Sequence, residues 1–128
     1  MSDRRSAELI VPRSWRDSLE LPNVDLAIVE PAKIRDYLLS TIHPVGRFKA
    51  AFFRRLGYRE EEWEEFRVDL LRFASFGEAT QLPTTEYRQK YEVRGMLEGP
   101  TGLSAHVVSI WIVLDGEDVP RLVTVYPA

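Results

Sequence analysis

The segment HPVGRFKAAFFRRLG, residues 43–57, holds the side chains best suited to chemistry. His43 precedes a predicted helix, where a histidine can act as a general base or acid near neutral pH. On a helical wheel Lys49 falls inside the apolar arc of that helix, between Leu56 and Phe53. A lysine there must extend its stem to solvent, pair with a carboxylate or face a cleft. Both residues are functional candidates, and the structural alternatives are a turn-bonded histidine and a snorkelling lysine.

Two further sets of candidates come from predicted strands. Lys90 begins the alternating segment KYEVRGMLEG on its polar face, where a lysine could equally serve solubility. Arg121, Thr124 and Tyr126 lie in the last segment, RLVTVYP. In a regular strand Arg121 and Thr124 point to opposite faces, so both serve one cleft only if a bulge or the strand end redirects Arg121. The alternative is a packed C-terminal strand.

Composition and motifs exclude several other chemistries. The chain has no cysteine, which rules out a disulfide framework, a thiolate metal site and a cysteine nucleophile. His43 and His106 lack metal-ligand spacing, and neither a phosphate-binding glycine motif nor a G-x-S-x-G nucleophile elbow occurs. We therefore expect no metal and no cofactor. The acids of EEEWEE, residues 60–65, are better explained by the helix dipole and solvation than by paired catalytic carboxylates.

Length and charge limit the class of protein. The 128 residues suit one domain, and 45% apolar with 29% charged residues is typical of a folded globular chain. The net charge of −3 gives no sign of a broad attraction to nucleic acid or membrane. Residues 43–58 nevertheless carry four bases and no acid, which indicates a solvated helix face or a local anion site. The sequence shows no signal peptide or membrane span, so we expect a cytoplasmic protein or one released without a cleavable signal.

The elements that must position these residues fall into two halves. The first half predicts a short helix from Pro31, a second from Pro44 to Gly57 and a third from about Arg59 to Phe76. The second half predicts strands at KYEVRGMLEG, AHVVSIWIVLDG and RLVTVYP, with residues 78–83 as a further strand. Helices followed by an antiparallel meander of three or four strands indicate an α+β fold.

The packing follows from the same periodicities. We expect the N-terminal helices to pack on one face of the sheet, as one domain over residues 21–128, after a partly ordered arm at residues 1–20. In the third helix Trp63, Phe66, Leu70 and Phe73 share one stripe. The residues expected in the core are Trp63, Phe66, Leu70, Phe52, Trp111 and Val93.

Three segments together resemble a bacterial family of domains of unknown function: HPVGRFKAAFFRRLGY, KYEVRGMLEGPTG and VVSIWIVLDGEDVPRLVTVYP. Members of that family look like stand-alone small proteins or C-terminal modules of polymorphic toxins, and the resemblance covers about residues 21–127. The order of helices and strands is also remotely similar to the barnase/EndoU/colicin/RelE-like ribonucleases. This likeness is an analogy of fold.

The resemblance implies metal-independent RNA cleavage by a domain of a toxin or conflict system. Such cleavage needs a base, an acid and cations for the phosphorane charge, and it needs no cofactor. The implied catalytic residues are His43 as the acid–base group, Lys49 and Lys90 as phosphate-side cations, and Thr124 with Arg121 from the last strand. The implied substrate-binding residues are Arg47, Tyr91 and Tyr126, with an exposed tyrosine stacking on a base.

A non-catalytic interaction module is the alternative. An antitoxin, immunity-like or adaptor protein would use the same sheet to bind a cognate protein instead of RNA, and a small-ligand domain is a third hypothesis. Positive potential confined to a cleft around His43, Lys49 and Lys90 favours a ribonuclease. Dispersed lysines and an exposed apolar patch favour interaction with a protein.

Overall fold

Three α-helices form the first half of the described chain, as the sequence predicts. The structure, a computed structural model, describes residues 20–85 and 88–128, so nearly all of the predicted arm at 1–20 lies outside the described residues. The helices are α1 (Pro31–Lys33), which continues into a π-helical turn (Ile34–Leu38), α2 (Arg47–Arg55) and α3 (Trp63–Phe76). Two 3-10 turns, Val24–Leu26 and Glu60–Glu62, precede α1 and α3.

Helix α2 begins later and ends earlier than predicted. Pro44 does not open the helix, because residues 41–46 form bends and turns before the first helical residue, Arg47. At the other end Gly57 has φ of 108°, a left-handed conformation that glycine adopts without strain and that stops the helix. The expected end at Gly57 is therefore correct to within two residues.

The described second half forms a four-stranded antiparallel meander, which confirms the α+β fold class. The strands are β1 (Glu78–Thr85), β2 (Arg88–Glu98), β3 (Ser104–Leu114) and β4 (Arg121–Pro127), in the order β1-β2-β3-β4. Consecutive strands pair directly, so short turns suffice to connect them. The strand expected at 78–83 is present.

The helices cover one face of this sheet, called here the inner face. A Cβ atom on Gly95 of β2 would lie 3.2 Å from the Phe73 ring of α3, which places Gly95 on that face. Side chains alternate along a strand, so Tyr91 and Val93 share the inner face with Gly95. Their partners Trp111 and Ser109 on β3 are buried there as well.

The opposite face, called here the outer face, carries polar side chains in three cross-strand rows. Its rows over β2, β3 and β4 are Lys90–Ile112–Arg121, Glu92–Ile110–Thr124 and Arg94–Val108–Tyr126. All nine residues except Val108 are half-buried or exposed. The outer face is therefore where strand residues can meet a ligand.

A β-bulge in β4 brings Arg121 and Thr124 to the same face. Ile110 pairs with Thr124 and Trp111 with Leu122, so Val123 is the extra residue. Arg121 pairs with Ile112, which lies on the same side of β3 as Ile110. The bulge that Arg121 and Thr124 need in order to lie on one face of the sheet is thus present.

The core lies between the helices and the inner face. Of the six residues expected in it, Phe66, Leu70, Trp111 and Val93 are fully buried. The other two, Trp63 and Phe52, are only half-buried and pack against its margin, so the prediction is wrong in degree for them. No helix in the described ranges is long and apolar enough to cross a membrane.

Candidate functional site

Lys49 links helix α2 to strand β4. Its Nζ atom donates a hydrogen bond to Thr124 Oγ1 at 2.6 Å and another to the Tyr37 hydroxyl at 3.2 Å. Phe53 and Leu56, which flank Lys49 on the helical wheel, are buried, and Lys49 itself is half-buried. Within the described part of the chain Lys49 forms no ion pair. Its ammonium group is therefore held by the oxygen atoms of Thr124 and Tyr37.

Tyr37 is a site residue that the sequence analysis missed. Ile34 and Leu38 of the same turn are fully buried, whereas Tyr37 is half-buried. The chain here forms a π-helical turn, which contains more residues per turn than an α-helix and changes the direction of Tyr37. The Tyr37 ring lies 5.2 Å from Lys49 Nζ and 5.5 Å from Lys33 Nζ.

These neighbours change the acidity of the Tyr37 phenol. Burial alone raises its pKa, but hydrogen bonds to Lys49 and Thr124 oppose that effect, as do the positive charges of Lys49 and Lys33. The balance leaves the pKa of Tyr37 below its ordinary value of 10.0. Tyr37 therefore gives up its proton more readily than an isolated tyrosine.

His43 joins the site through its ring, while one of its nitrogens stabilises the turn before α2. Its Nδ1 atom accepts hydrogen bonds from the backbone N–H groups of Val45 at 3.0 Å and Gly46 at 2.9 Å. The ring meets Tyr37 edge-on, with centroids 4.9 Å apart. Since Nδ1 accepts two hydrogen bonds, only Nε2 can face a substrate. The structural alternative for His43, a histidine that stabilises the turn, therefore describes the role of Nδ1.

Gly46 fixes the distance between this turn and the helix that carries Tyr37. A Cβ atom at Gly46 would overlap the carbonyl oxygen of Tyr37. Gly46 has φ of −61°, a value that any residue can adopt, so close approach is what requires glycine here. Gly46 therefore positions Tyr37 and His43 together.

The remaining candidates from strands lie on the outer face at different distances from Lys49. The Tyr126 ring centroid is 5.9 Å from Lys49 Nζ, so Tyr126 joins Tyr37, His43, Lys49 and Thr124 in what we call the Lys49 cluster. Arg121 lies one row from Thr124, and its Nε donates to Glu117 at 3.2 Å, with Glu30 at 4.0 Å. Lys90 shares the row of Arg121. These two cations are outside the cluster.

Two predicted substrate-binding residues lie elsewhere. Tyr91 is only 9% exposed, pairs with Trp111 on the inner face and donates its hydroxyl proton to Gln89, so Tyr91 is not the exposed stacking tyrosine that was expected. The strand alternation that places Lys90 outward necessarily places Tyr91 inward. Arg47 is two residues before Lys49 on α2 and therefore points to the other side of the helix, above the Phe48 ring.

The outer face also presents Arg94, which the sequence analysis did not select. Its guanidinium pairs with Glu92 and occupies the same row as Tyr126. The hydrogen bond to Glu92 and that carboxylate's charge raise the pKa of Arg94, so it stays protonated. The alternation of side chains along β2 could have indicated Arg94, because residues an even number of positions apart in a strand, such as Lys90 and Arg94, lie on the same face.

The Lys49 cluster combines a cation, two phenols, a hydroxyl and an imidazole at the edge of the sheet. Such a set can bind an anion and exchange a proton with it. Across residues 20–85 and 88–128 no group of three or more His, Cys, Asp or Glu side chains is placed to hold a metal ion.

Helices lie on the inner face of the sheet, and a basic, tyrosine-containing cluster lies beside the outer face. Together they define a small α+β domain with a polar site at edge strand β4. A family model described as "Domain of unknown function (DUF6883)" matches residues 20–128, so the chain belongs to that family. No curated protein and no solved structure matched the sequence. The prediction of a family of unknown function is thus confirmed, and the similarity to ribonucleases stays a prediction.

Proposed function

We propose that this chain is a metal-independent, ribonuclease-like domain of a bacterial conflict system, which binds and cleaves RNA at the Lys49 cluster. The observation that carries the proposal is the hydrogen bonding of Lys49 Nζ to Thr124 and Tyr37, with no carboxylate partner among residues 20–85 and 88–128. A half-buried cation that is oriented by hydroxyl groups instead of a carboxylate favours an anionic ligand. A phosphodiester supplies that charge, and its trigonal-bipyramidal transition state carries more of it.

The residues of the cluster account for each proton in such a reaction. Tyr37 as phenolate accepts the proton of the ribose 2′-hydroxyl while the 2′-oxygen forms a bond to phosphorus. The bond from phosphorus to the 5′-oxygen breaks, and Lys49 gives a proton to that leaving oxygen. Transfer of one proton from Tyr37 back to Lys49 restores the starting pair. The product is a 2′,3′-cyclic phosphate, formed without water, metal or cofactor.

Other side chains of the site bind the substrate. Thr124 orients Lys49, and the half-buried Tyr126 ring offers a face for a nucleobase. His43 contributes a hydrogen bond through Nε2. Lys90 and Arg94 lie on the outer face and contact neighbouring phosphates. Arg121 has no assigned role in this reaction and contacts Glu117 and Glu30.

Cleavage of single-stranded RNA in the presence of EDTA tests the proposal. We expect the wild-type chain to produce 2′,3′-cyclic phosphate ends, and Lys49→Met and Tyr37→Phe to lower the rate by about a hundredfold or more. Arg72→Gln on α3, an exposed cation remote from the cluster, serves as the matched control and keeps full activity. Thermal melting verifies that each variant folds. An inert wild-type chain on RNAs of varied sequence contradicts the proposal.

A further inference from the structure

A separate surface on α2 exposes large apolar side chains to solvent. Ile42 is 85% exposed, Val45 55% and Phe48 72%; the first two lie in the turn before α2, and Phe48 lies in its first turn. On a helical wheel at about 100° per residue Phe48 lies at one end of the apolar arc, and in the structure it projects beyond the core. Single exposed apolar residues are ordinary, but a contiguous group points to an interaction.

Three arginine side chains of α2 line a surface depression together with Phe48. Arg47, Arg54 and Arg55 are exposed, and none forms an ion pair with a residue of the described ranges. No Asp or Glu occurs between Asp36 and Glu60. A shallow depression of about 580 Å³ lies between Phe48 and the arginines. We call Ile42, Val45, Phe48 and the three arginines the α2 patch.

The α2 patch is distinct from the Lys49 cluster. At about 100° per residue, Arg47, Arg54 and Arg55 lie more than 100° around α2 from Lys49. Lys49 points to β4, where it contacts Thr124, whereas the patch points to solvent. A partner that contacts Phe48 and the arginines therefore leaves Lys49 open, and the inference does not depend on the proposed function.

We propose that the α2 patch docks an acidic amphipathic helix of a partner protein. The apolar side chains fit the apolar stripe of such a helix, and the arginines fit carboxylates that flank the stripe. A protein is favoured over RNA because Ile42 and Val45 offer nothing to phosphates or ribose. A two-fold contact with a second copy would oppose three arginines to three arginines.

Selection from a phage-displayed library of random peptides of about 16 residues, long enough for four helical turns, tests this inference. The full chain is the immobilised target. We expect enriched sequences to be acidic, with large apolar residues at helical spacing. A synthetic peptide of the enriched sequence should bind less tightly as salt increases. Phe48→Ser and Arg55→Glu should each weaken its binding about tenfold or more.

Two matched controls lie on α3, away from the patch. Phe76 is 84% exposed, and Arg72 is an exposed arginine, so Phe76→Ser and Arg72→Glu make the same chemical changes elsewhere. Both controls should bind the peptide as the wild type does. Because all four positions are exposed, the variants should fold, and thermal melting verifies it.

Several results would overturn the inference. Enrichment of neutral or basic peptides, or of none, contradicts an acidic partner. Equal binding by Phe48→Ser places the contact elsewhere. Loss of RNA binding in Arg55→Glu, without any effect on peptide binding, identifies a nucleic-acid surface. A dimer in analytical ultracentrifugation that Phe48→Ser dissociates identifies self-association instead.

Discussion

The Nζ atom of Lys49 lies 2.6 Å from Oγ1 of Thr124, and this hydrogen bond joins residues 75 positions apart in the chain. It connects the helical layer to the edge strand at the point where the outer face begins. The same ammonium group contacts the Tyr37 hydroxyl, so one side chain sets the geometry of three elements. A substitution at Lys49 should therefore affect both stability and chemistry.

A double-mutant cycle measures the link between Lys49 and Thr124. We expect Lys49→Met and Thr124→Val to be non-additive by about 1 kcal/mol in the free energy of unfolding, because each removes the same hydrogen bond. Urea unfolding supplies the four values. The exposed ion pair of Arg59 and Glu61 is the control, with an expected coupling of about 0.5 kcal/mol or less. Strict additivity of the Lys49 and Thr124 substitutions would show that the hydrogen bond contributes nothing.

The acidity of Tyr37 should be visible in a titration of tyrosinate absorbance. We expect the difference between wild type and Tyr37→Phe to titrate below 10.0, and Lys49→Met to move that titration upward. Between the folded pKa and 10.0 the unfolded chain binds more protons, so wild type gains stability relative to Tyr37→Phe as pH rises through this window. A titration at or above 10.0 would contradict the assigned environment.

The same group should control the pH dependence of RNA cleavage. If Tyr37 is the base, the rate increases with pH up to the pKa of Tyr37 and then becomes constant until other groups titrate. Residual cleavage by Tyr37→Phe should lack that increase. An identical pH profile in the two proteins would leave cleavage intact but assign the base to another residue.

Tyr58 should affect the pH dependence of stability in the direction opposite to Tyr37. It is buried, stacks on Phe66 and donates a hydrogen bond to Asp69 at 2.7 Å. Burial, and then the hydrogen bond to Asp69, raises the pKa of Tyr58 well above 10.0. Its stabilising contribution is complete below 10.0 and is lost as pH rises further, because only the unfolded chain then releases the proton. Tyr58→Phe should cost about 1–2 kcal/mol at neutral pH in chemical unfolding and show less alkaline destabilisation.

Gly46→Ala tests the approach between the turn before α2 and the helix carrying Tyr37. The added methyl group must displace the Tyr37 carbonyl, so we expect a loss of about 2–3 kcal/mol and reduced activity even in the folded fraction. Gly102→Ala is the control, since a Cβ atom there meets nothing within 4 Å and only its positive φ of 89° carries a cost, about 1 kcal/mol. Equal effects would show that the contact at Gly46 yields easily.

The sequence predicted the fold better than the site, for physical reasons. Alternation in β2 and periodicity in α3 follow directly from burial, so the meander and the core residues Phe66 and Leu70 were predictable. The position of Lys49 among apolar residues of α2 could also be predicted from the sequence. Tyr37 was not, because a π-helical turn leaves no distinct pattern in a single sequence. Tyr91 was expected to be exposed although its own parity with Val93 indicated burial.

The bulge at Val123 gives a criterion for aligning relatives of this domain. Arg121 and Thr124 are three residues apart, and the extra residue makes that odd spacing compatible with one face of the sheet. A relative that lacks one residue between these positions would reach the same arrangement with a regular strand. A relative that keeps the spacing but forms no bulge would turn one of the two side chains into the core. Gap placement at Val123 should therefore follow strand geometry rather than residue similarity.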